Sequence, residues 1–300
     1  MIQVLRVTTL VENSVFTRGL FAQHGLSFLI EADGRRVLFD TGQGKAILEN
    51  ARQLGVRLDT LDAVVLSHGH YDHTGGLADV LQVSGGRKLL LHPAALEAKY
   101  VRQEVPPHRE IGIPEPSRRA LESNRQEIVW TRTPTEVVPG MQATGEIPRT
   151  QSLEDVGGAF YQDESCQEPD LLLDDQALFV DCAAGLVVIL GCAHSGVINT
   201  LEYVGRLSGR SRIHAVLGGM HLMRASRGRI EATADSLETY SVEKIVPCHC
   251  SGSNAISYFR SRFGDRVMEC PTGTSFVFRE PTPYRDESSS QSAARYCSVR

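Results

Sequence analysis

The stretch Ser67-His-Gly-His-Tyr-Asp-His-Thr-Gly-Gly76 holds four potential metal ligands within six residues. Side chains two residues apart in an extended or turning backbone point the same way, so His68 and His70 can bind one ion together. Asp72 and His73 are adjacent and diverge, which suits a second ion. Histidine nitrogens with a carboxylate oxygen are a typical Zn²⁺ set, although Mn²⁺ and Fe²⁺ also accept it. The stretch therefore predicts a site for two divalent metal ions, with Zn²⁺ as the first choice.

The segments around this stretch predict an α/β fold. A short apolar strand, Ala63-Val-Val-Leu-Ser67, leads into the histidines, and a helix is expected to run from the glycine pair to Leu81. Upstream, residues 26–31 and 36–40 form a predicted hairpin around Asp33-Gly34, a strong turn pair. Strands and helices also alternate in the second half of the chain. This repetition favours two sheets packed as a sandwich with helices outside.

Three further histidines each follow an apolar strand and lie among small residues. They are His194 in Gly-Cys-Ala-His-Ser-Gly196, His221 in Gly-Gly-Met-His-Leu222 and His249 in Pro-Cys-His-Cys-Ser-Gly252. Strand ends are where α/β folds build their sites. A single histidine in such a place would more often be structural, but three in matching contexts favour ligands or residues that contact the reacting groups.

The composition indicates an ordinary globular protein. The 300 residues are 41% hydrophobic and 22% charged, with a formal net charge of −5, so no basic excess indicates a nucleic-acid partner. The longest apolar runs are strand-sized, which predicts no membrane span. The N-terminus alternates like a strand and does not resemble a secretion signal. Seven cysteines, an odd number, argue against a disulfide framework. We therefore expect a cytoplasmic protein with a small-molecule substrate.

Two segments depart from the alternating pattern. Residues 93–150 hold eight of the 13 prolines and little periodicity, and we interpret them as a lid or insertion within a domain spanning residues 1–280. The arginines of this segment are expected either to form a solvated surface or to bind an anion. The serine-rich tail, residues 281–300, is expected to be disordered.

The histidine stretch resembles the hallmark of the metallo-β-lactamase superfamily. Several further segments resemble one branch of it, often labelled 7,8-dihydropterin-6-methyl-4-(β-D-ribofuranosyl)-aminobenzene-5′-phosphate synthase-like. These segments are Thr9-Leu-Val-Glu-Asn13, His24-Gly-Leu-Ser27, Leu38-Phe-Asp-Thr-Gly-Gln43, Gly191-Cys-Ala-His-Ser-Gly196 and Gly218-Gly-Met-His-Leu222. The resemblance covers roughly residues 1–280 and implies a four-layer αββα sandwich with a dinuclear metal site at one edge.

The resemblance also implies roles for individual residues. His68 and His70 would bind the first metal, and Asp72 and His73 would bind the second together with His249. Asp40, in Asp-Thr-Gly42, would orient the histidine loop through hydrogen bonds.

The chain departs from the superfamily pattern at one ligand. No histidine lies between His108 and His194, and the usual Gly-Asp position is occupied by Gly191-Cys192. His194 is our first choice for the missing ligand, with Cys192 and Asp175 as alternatives. A cysteine near Zn²⁺ would bind as the thiolate.

Two metal ions and an activated water suit hydrolysis of esters, phosphodiesters, thioesters or lactams. The resemblance, together with the arginines in residues 102–125, implies a small anionic, phosphate-containing ester or phosphodiester as the substrate. Asp72 is expected to orient the water and carry its proton, and His221 to hold or protonate the leaving group. Three alternatives stay open on the sequence. One is a transferase or synthase acting on a pterin or ribosyl-phosphate substrate. The others are an iron-dependent redox protein of the same fold and a metal-retaining binding protein without turnover.

Overall fold

The computed structural model describes residues 1–280, so the tail expected to be disordered lies outside the described residues. The strands of the described part, in chain order, are β1 (Val4–Val11), β2 (Ser27–Ala32), β3 (Arg35–Phe39), β4 (Ala63–Val65), β5 (Lys88–Leu91), β6 (Tyr100–Val101), β7 (Arg109–Glu110), β8 (Ile128–Trp130), β9 (Thr135–Val138), β10 (Met141–Ala143), β11 (Phe160–Tyr161), β12 (Ala177–Cys182), β13 (Gly185–Leu190), β14 (Ala215–Gly219), β15 (Lys244–Cys248) and β16 (Ser275–Arg279).

Several helices of the described part begin or end at recognisable signals. They are α1 (Lys45–Gln53), α2 (Tyr71–Thr74), α3 (Leu77–Ser84), α4 (Glu115–Ser123), α5 (Val197–Ser208), α6 (Arg227–Thr239) and α7 (Ser253–Phe263). Helix α3 ends at Gly85 and α5 at Gly209, both in the left-handed conformation that favours glycine. Helix α6 begins at Ser226, whose hydroxyl accepts the backbone N–H of Arg229.

Two large sheets face each other across the main core. One has the order β16-β1-β2-β3-β4-β5-β8 and the other β15-β14-β13-β12-β10-β9. Helices α1, α3 and α4 cover the outer face of the first sheet, and α5, α6 and α7 cover that of the second. The predicted four-layer αββα sandwich is therefore confirmed.

Strand β13 shows why these sequences form inner layers. Val187 and Ile189 point into the core between the sheets, whereas Leu186 and Val188 point to the helices on the other face. Both faces are buried, so the strand is a continuous apolar run and not an alternating one. Each such aliphatic side chain contributes about 1.5–3 kcal/mol when fully buried.

Residues 93–150, predicted as a lid or insertion, are divided between the sandwich and a small separate sheet. Strand β8 pairs with β5 at the edge of the first sheet, and β9 and β10 extend the second sheet. Prolines concentrate in the turns between these short strands and hide their periodicity. What lies outside the sandwich is a small sheet of order β11-β6-β7, to which residues beyond position 150 also contribute.

The topology brings several strand ends to one edge. Strands β13, β14 and β15 run parallel, so their carboxyl ends meet on the same side of the second sheet. The chain leaves β4 towards the histidine stretch at the facing edge of the first sheet. Among residues 1–280, no helix is long and apolar enough to cross a membrane.

Candidate metal centre

Asp40 fixes the start of the histidine stretch at the end of β4. Its Oδ1 accepts the backbone N–H of Ser67 at 2.7 Å, and its Oδ2 accepts the Ser67 hydroxyl at 2.7 Å. The same Oδ2 lies 2.7 Å from Nδ1 of His73. All three residues are fully buried. The carboxylate therefore ties the loop to the sheet and contacts one of its imidazole rings.

His68, His70 and His194 form a first set of potential ligands. Nε2 of His68 lies 3.0 Å from Nδ1 of His70. The ring of His194 lies with its centroid 4.8 Å from that of His68 and 5.0 Å from that of His70. Within the described residues, Nε2 of His70 and Nε2 of His194 are buried without a hydrogen-bond partner. Buried nitrogens with free lone pairs are what a metal ion requires.

His73, His249 and Asp72 form a second set. The Nε2 atoms of His73 and His249 are 3.2 Å apart. Oδ2 of Asp72 lies 3.3 Å from Nε2 of His249 and also 3.3 Å from Nε2 of His24. His24 stands in the loop between β1 and β2 and is half exposed. It can therefore complete the second set from the solvent side.

Cys192 lies between the two sets. Its Sγ is 3.1 Å from Nε2 of His73. It forms one group with His68 and His194 and another with His73 and His249, and within each group all ligand atoms lie within 4.8 Å of one another. Its sulfur therefore reaches both sets.

Hydrogen bonds from outside the cluster aim most of these rings inward. Nδ1 of His68 contacts the Ser67 hydroxyl at 2.8 Å, and Nδ1 of His194 contacts the carbonyl of Val156 at 2.8 Å. Nδ1 of His249 lies 3.2 Å from Oδ1 of Asn13. With Nδ1 engaged in this way, Nε2 is the nitrogen left for a metal ion.

Burial and neighbouring charges set the protonation of the histidines. Burial lowers the pKa of His68 and His194 well below the ordinary value and that of His70 to about 3, so these rings are neutral. Burial opposes protonation of His73 too, but the carboxylates of Asp40 and Asp72 outweigh it and raise its pKa to about 9. A metal ion at the second set therefore has to displace a proton.

The backbone is strained around the centre. Asp40, His221 and His249 have φ values of 61°, 44° and 52°, a region that residues other than glycine rarely adopt. Such conformations cost about 1–3 kcal/mol each and are retained where the surrounding structure enforces them, often at functional sites.

A buried charge cluster supports the histidine loop from below. Nζ of Lys99 lies 3.0 Å from carboxylate oxygens of both Asp170 and Asp174. The other oxygen of Asp174 accepts the backbone N–H of Gly69 at 2.7 Å, between two of the potential ligands. All three charged side chains are at least 98% buried. Burial disfavours the ammonium, but the two carboxylates outweigh it and raise the pKa of Lys99.

A cavity of about 290 Å³ opens above the centre. Its lining includes Arg102, which follows β6, Arg109 of β7 and Arg224 from the loop after β14. The guanidinium of Arg109 stacks over the ring of Tyr71 at 4.8 Å. Within residues 1–280 none of the three arginines has a carboxylate at ion-pair distance. The cavity therefore has positive charge available for an anion, although Arg102 also donates to the carbonyl of Cys166. Arg118, which does not line the cavity, donates to two backbone carbonyls.

The cluster includes His68, His70, Asp72, His73, His194 and His249, all six of the side chains predicted as ligands. Of the two alternatives for the variable position, Cys192 lies in the cluster. Asp175 belongs to none of the ligand groups found in the described residues. It accepts the backbone N–H of Ser195 at 2.7 Å, and burial raises its pKa to about 6. His221 lines the cavity, with its ring centroid 4.2 Å from that of His194.

Sequence reasoning missed His24 and Cys250 as members of the centre. His24 lies in a segment that carried the family resemblance, but nothing in its spacing relates it to Asp72. Cys250 forms a group with Cys192 and His221. The Cys-His-Cys pattern around His249 was the available signal. No local sequence signal indicates the supporting role of Lys99, because the two carboxylates that contact it lie more than 70 residues away in the chain.

Comparisons with known proteins agree with this geometry. The sequence model of the metallo-beta-lactamase superfamily matches residues 21–158. The 7,8-dihydropterin-6-methyl-4-(beta-D-ribofuranosyl)-aminobenzene-5'-phosphate synthase of Methanocaldococcus jannaschii is 28% identical over 289 residues, covering 91% of this chain and 97% of the relative. An uncharacterized protein of the same organism is 33% identical over 254 residues, covering 84% and 92%.

A solved structure described as a metal-dependent hydrolase of the beta-lactamase superfamily is 32% identical and superposes with a TM-score of 0.76, covering 91% of this chain and 98% of the other. The two packed sheets and the histidine-rich edge define a metallo-enzyme built on an αββα sandwich. The chain belongs to the metallo-β-lactamase superfamily, whose members generally bind divalent metal ions such as zinc.

Proposed function

We propose that the protein is a metal-dependent hydrolase that uses two divalent ions, Zn²⁺ as the first choice, on a small phosphate-containing ester or phosphodiester. One observation carries this proposal. Two sets of potential ligands share the sulfur of Cys192 beneath a cavity that three arginines line. The similarity to a solved metal-dependent hydrolase also supports it.

The side chains fit two metal ions. His68, His70 and His194 would hold the first, and Asp72, His73 and His249 the second, with Cys192 between them. Nitrogen, carboxylate and thiolate donors together are typical of zinc and unsuited to Mg²⁺ or Ca²⁺. The buried, unpartnered Nε2 atoms of His70 and His194 are explained by such an ion.

The bound ions would supply Lewis-acid activation of water and of the substrate's anionic oxygen. The residues of the chain provide orientation and proton transfer. Asp72 lies between His249 and the half-exposed His24, so its carboxylate can take a proton from water and His24 can pass it to solvent. Arg102, Arg109 and Arg224 would bind the anionic part of the substrate. His221 as proton donor to the leaving group stays a prediction.

The test is hydrolysis by the full chain after chelation and readdition of Zn²⁺. A bis-aryl phosphodiester, an aryl phosphate monoester, a thioester and a lactone form the panel. We expect zinc-dependent turnover of a phosphorus ester, lost in His68→Ala and kept in His108→Ala. His108 directly precedes β7 and belongs to none of the ligand groups found in the described residues. Full zinc content without hydrolysis of any of the four substrates would refute the proposal.

The similarity to the synthase favours a second candidate. That relative aligns over nearly the whole of both chains, and its name contains a ribosyl 5'-phosphate. In this case the arginines and the metal ions would hold a phosphate group while a nucleophile other than water attacks. A reaction that needs a second organic substrate, with no product from water alone, would identify this activity.

A further inference from the structure

A third group of potential ligands adjoins the two already described. It consists of Cys192, Cys250 and His221, whose ligand atoms all lie within 4.8 Å of one another. Cys192 and Cys250 are 2% and 8% exposed. His221 comes from the end of β14 and Cys250 from the turn after β15, so the parallel strand pair brings them to the same point. The catalytic proposal makes no use of Cys250.

Two glycines make room for this group. A Cβ at Gly219 would lie 2.7 Å from Sγ of Cys250, and one at Gly157 would lie 2.0 Å from Cδ2 of His221. Side chains at these positions would displace the sulfur and the ring. Both side chains are therefore held in place by close backbone approach.

The imidazole of His221 lacks one of the hydrogen bonds that a buried polar side chain usually forms. Nδ1 of His221 is buried with no partner among residues 1–280. The sulfur of Cys250 is 3.7 Å from the carbonyl of Cys192, a weak contact. By contrast, Cys248, two residues earlier, points into the apolar core between the sheets. An unpartnered imidazole nitrogen beside two thiols is the donor set of a zinc site.

We propose that Cys192, Cys250 and His221 form a third, thiolate-rich metal subsite. Two cysteines and one histidine leave a fourth position, as in zinc sites that keep one ligand open, and all three residues line the cavity. The subsite favours thiophilic divalent ions such as Zn²⁺ and Cd²⁺ over Mn²⁺. This subsite depends on the proposed dinuclear centre only because the two share Cys192. It also gives His221 a ligand role in place of proton donation.

The test is a titration of the metal-free, reduced full chain with Co²⁺. Thiolate ligation gives sulfur-to-cobalt charge-transfer absorption in the near ultraviolet. We expect three Co²⁺ per chain in the wild type and two in Cys250→Ala, with loss of part of that absorption. Cys248→Ala, two residues earlier in the chain and also buried, should keep three ions and the full spectrum. His221→Gln should also bind one ion fewer, and it serves if Cys250→Ala does not fold.

Saturation of the wild type at two Co²⁺, with unchanged absorption in Cys250→Ala, would overturn the third subsite. If that protein still hydrolyses phosphodiesters, the dinuclear hydrolase survives without it. A wild type that binds fewer than two ions would overturn both proposals, because the two subsites share Cys192.

Discussion

The buried cluster of Lys99, Asp170 and Asp174 allows a quantitative prediction about stability. Replacing Lys99 by Met removes the only cation among these three charges and leaves two buried carboxylates facing each other. Uncompensated buried charge costs about 3–5 kcal/mol of unfolding free energy. Asp174→Asn leaves a neutral Lys99–Asp170 pair and should cost less, about 1.5–3 kcal/mol, from the weakened hydrogen bond to Gly69.

The two variants should also weaken metal binding, because Gly69 lies between His68 and His70. Hydrogen-bond partners behind metal ligands typically contribute 10–100-fold in affinity. Urea unfolding of the metal-free chain measures the stability effect, and competition against a zinc indicator measures the affinity effect.

Arg119→Met is the matched control. It breaks an ion pair with Glu115 whose side chains are 75% and 64% exposed, so it should cost less than about 1 kcal/mol and leave metal affinity unchanged. The reasoning is refuted if Lys99→Met costs no more than this surface control. It is equally refuted if Asp174→Asn binds zinc as the wild type does.

Three further predictions concern single side chains. Burial raises the pKa of Asp175 to about 6, so its ionised form destabilises the fold above that pH. Asp175→Asn should be more stable than the wild type by up to about 3 kcal/mol at pH 7, and this difference should shrink by about 1 kcal/mol at pH 5. The same difference in unfolding free energy at both pH values would contradict this. Asn tolerates the left-handed backbone conformation of Asp40, so Asp40→Asn should fold normally. Its zinc affinity in the competition assay should fall about 10–100-fold, because the carboxylate orients His73. An unchanged affinity would exclude this role of Asp40. Arg109→Met should raise the KM for a phosphodiester by about tenfold or more, while Arg125→Met on another surface should not; equal KM values would remove Arg109 from substrate binding.

The sequence predicted the architecture well because its signals are local. The apolar run of β13, the turn pair at Asp33-Gly34 and the glycine ends of the helices each depend on neighbouring residues only. The histidine stretch is local in the same sense, since four ligands lie within six residues. The edge strands β8 to β10 were missed because they are only three or four residues long and are separated by prolines.

The rest of the centre depends on contacts between distant parts of the chain. Cys192 and His194 end one strand, His249 and Cys250 end another, and the parallel pairing that joins them has no short sequence signature. His24 reaches Asp72 from a loop between the first two strands. The sequence therefore left His194, Cys192 and Asp175 as alternatives for one position, and only the fold separates Asp175 from the other two.

The most direct test of the account is zinc content per chain, measured together with phosphodiester hydrolysis, in the wild type, His68→Ala and His73→Ala. The two histidines belong to different ligand sets, so each variant should lose at least one zinc ion and all turnover, while the wild type holds at least two. Unchanged zinc content in either variant, or hydrolysis that survives the loss of zinc, would contradict the dinuclear centre.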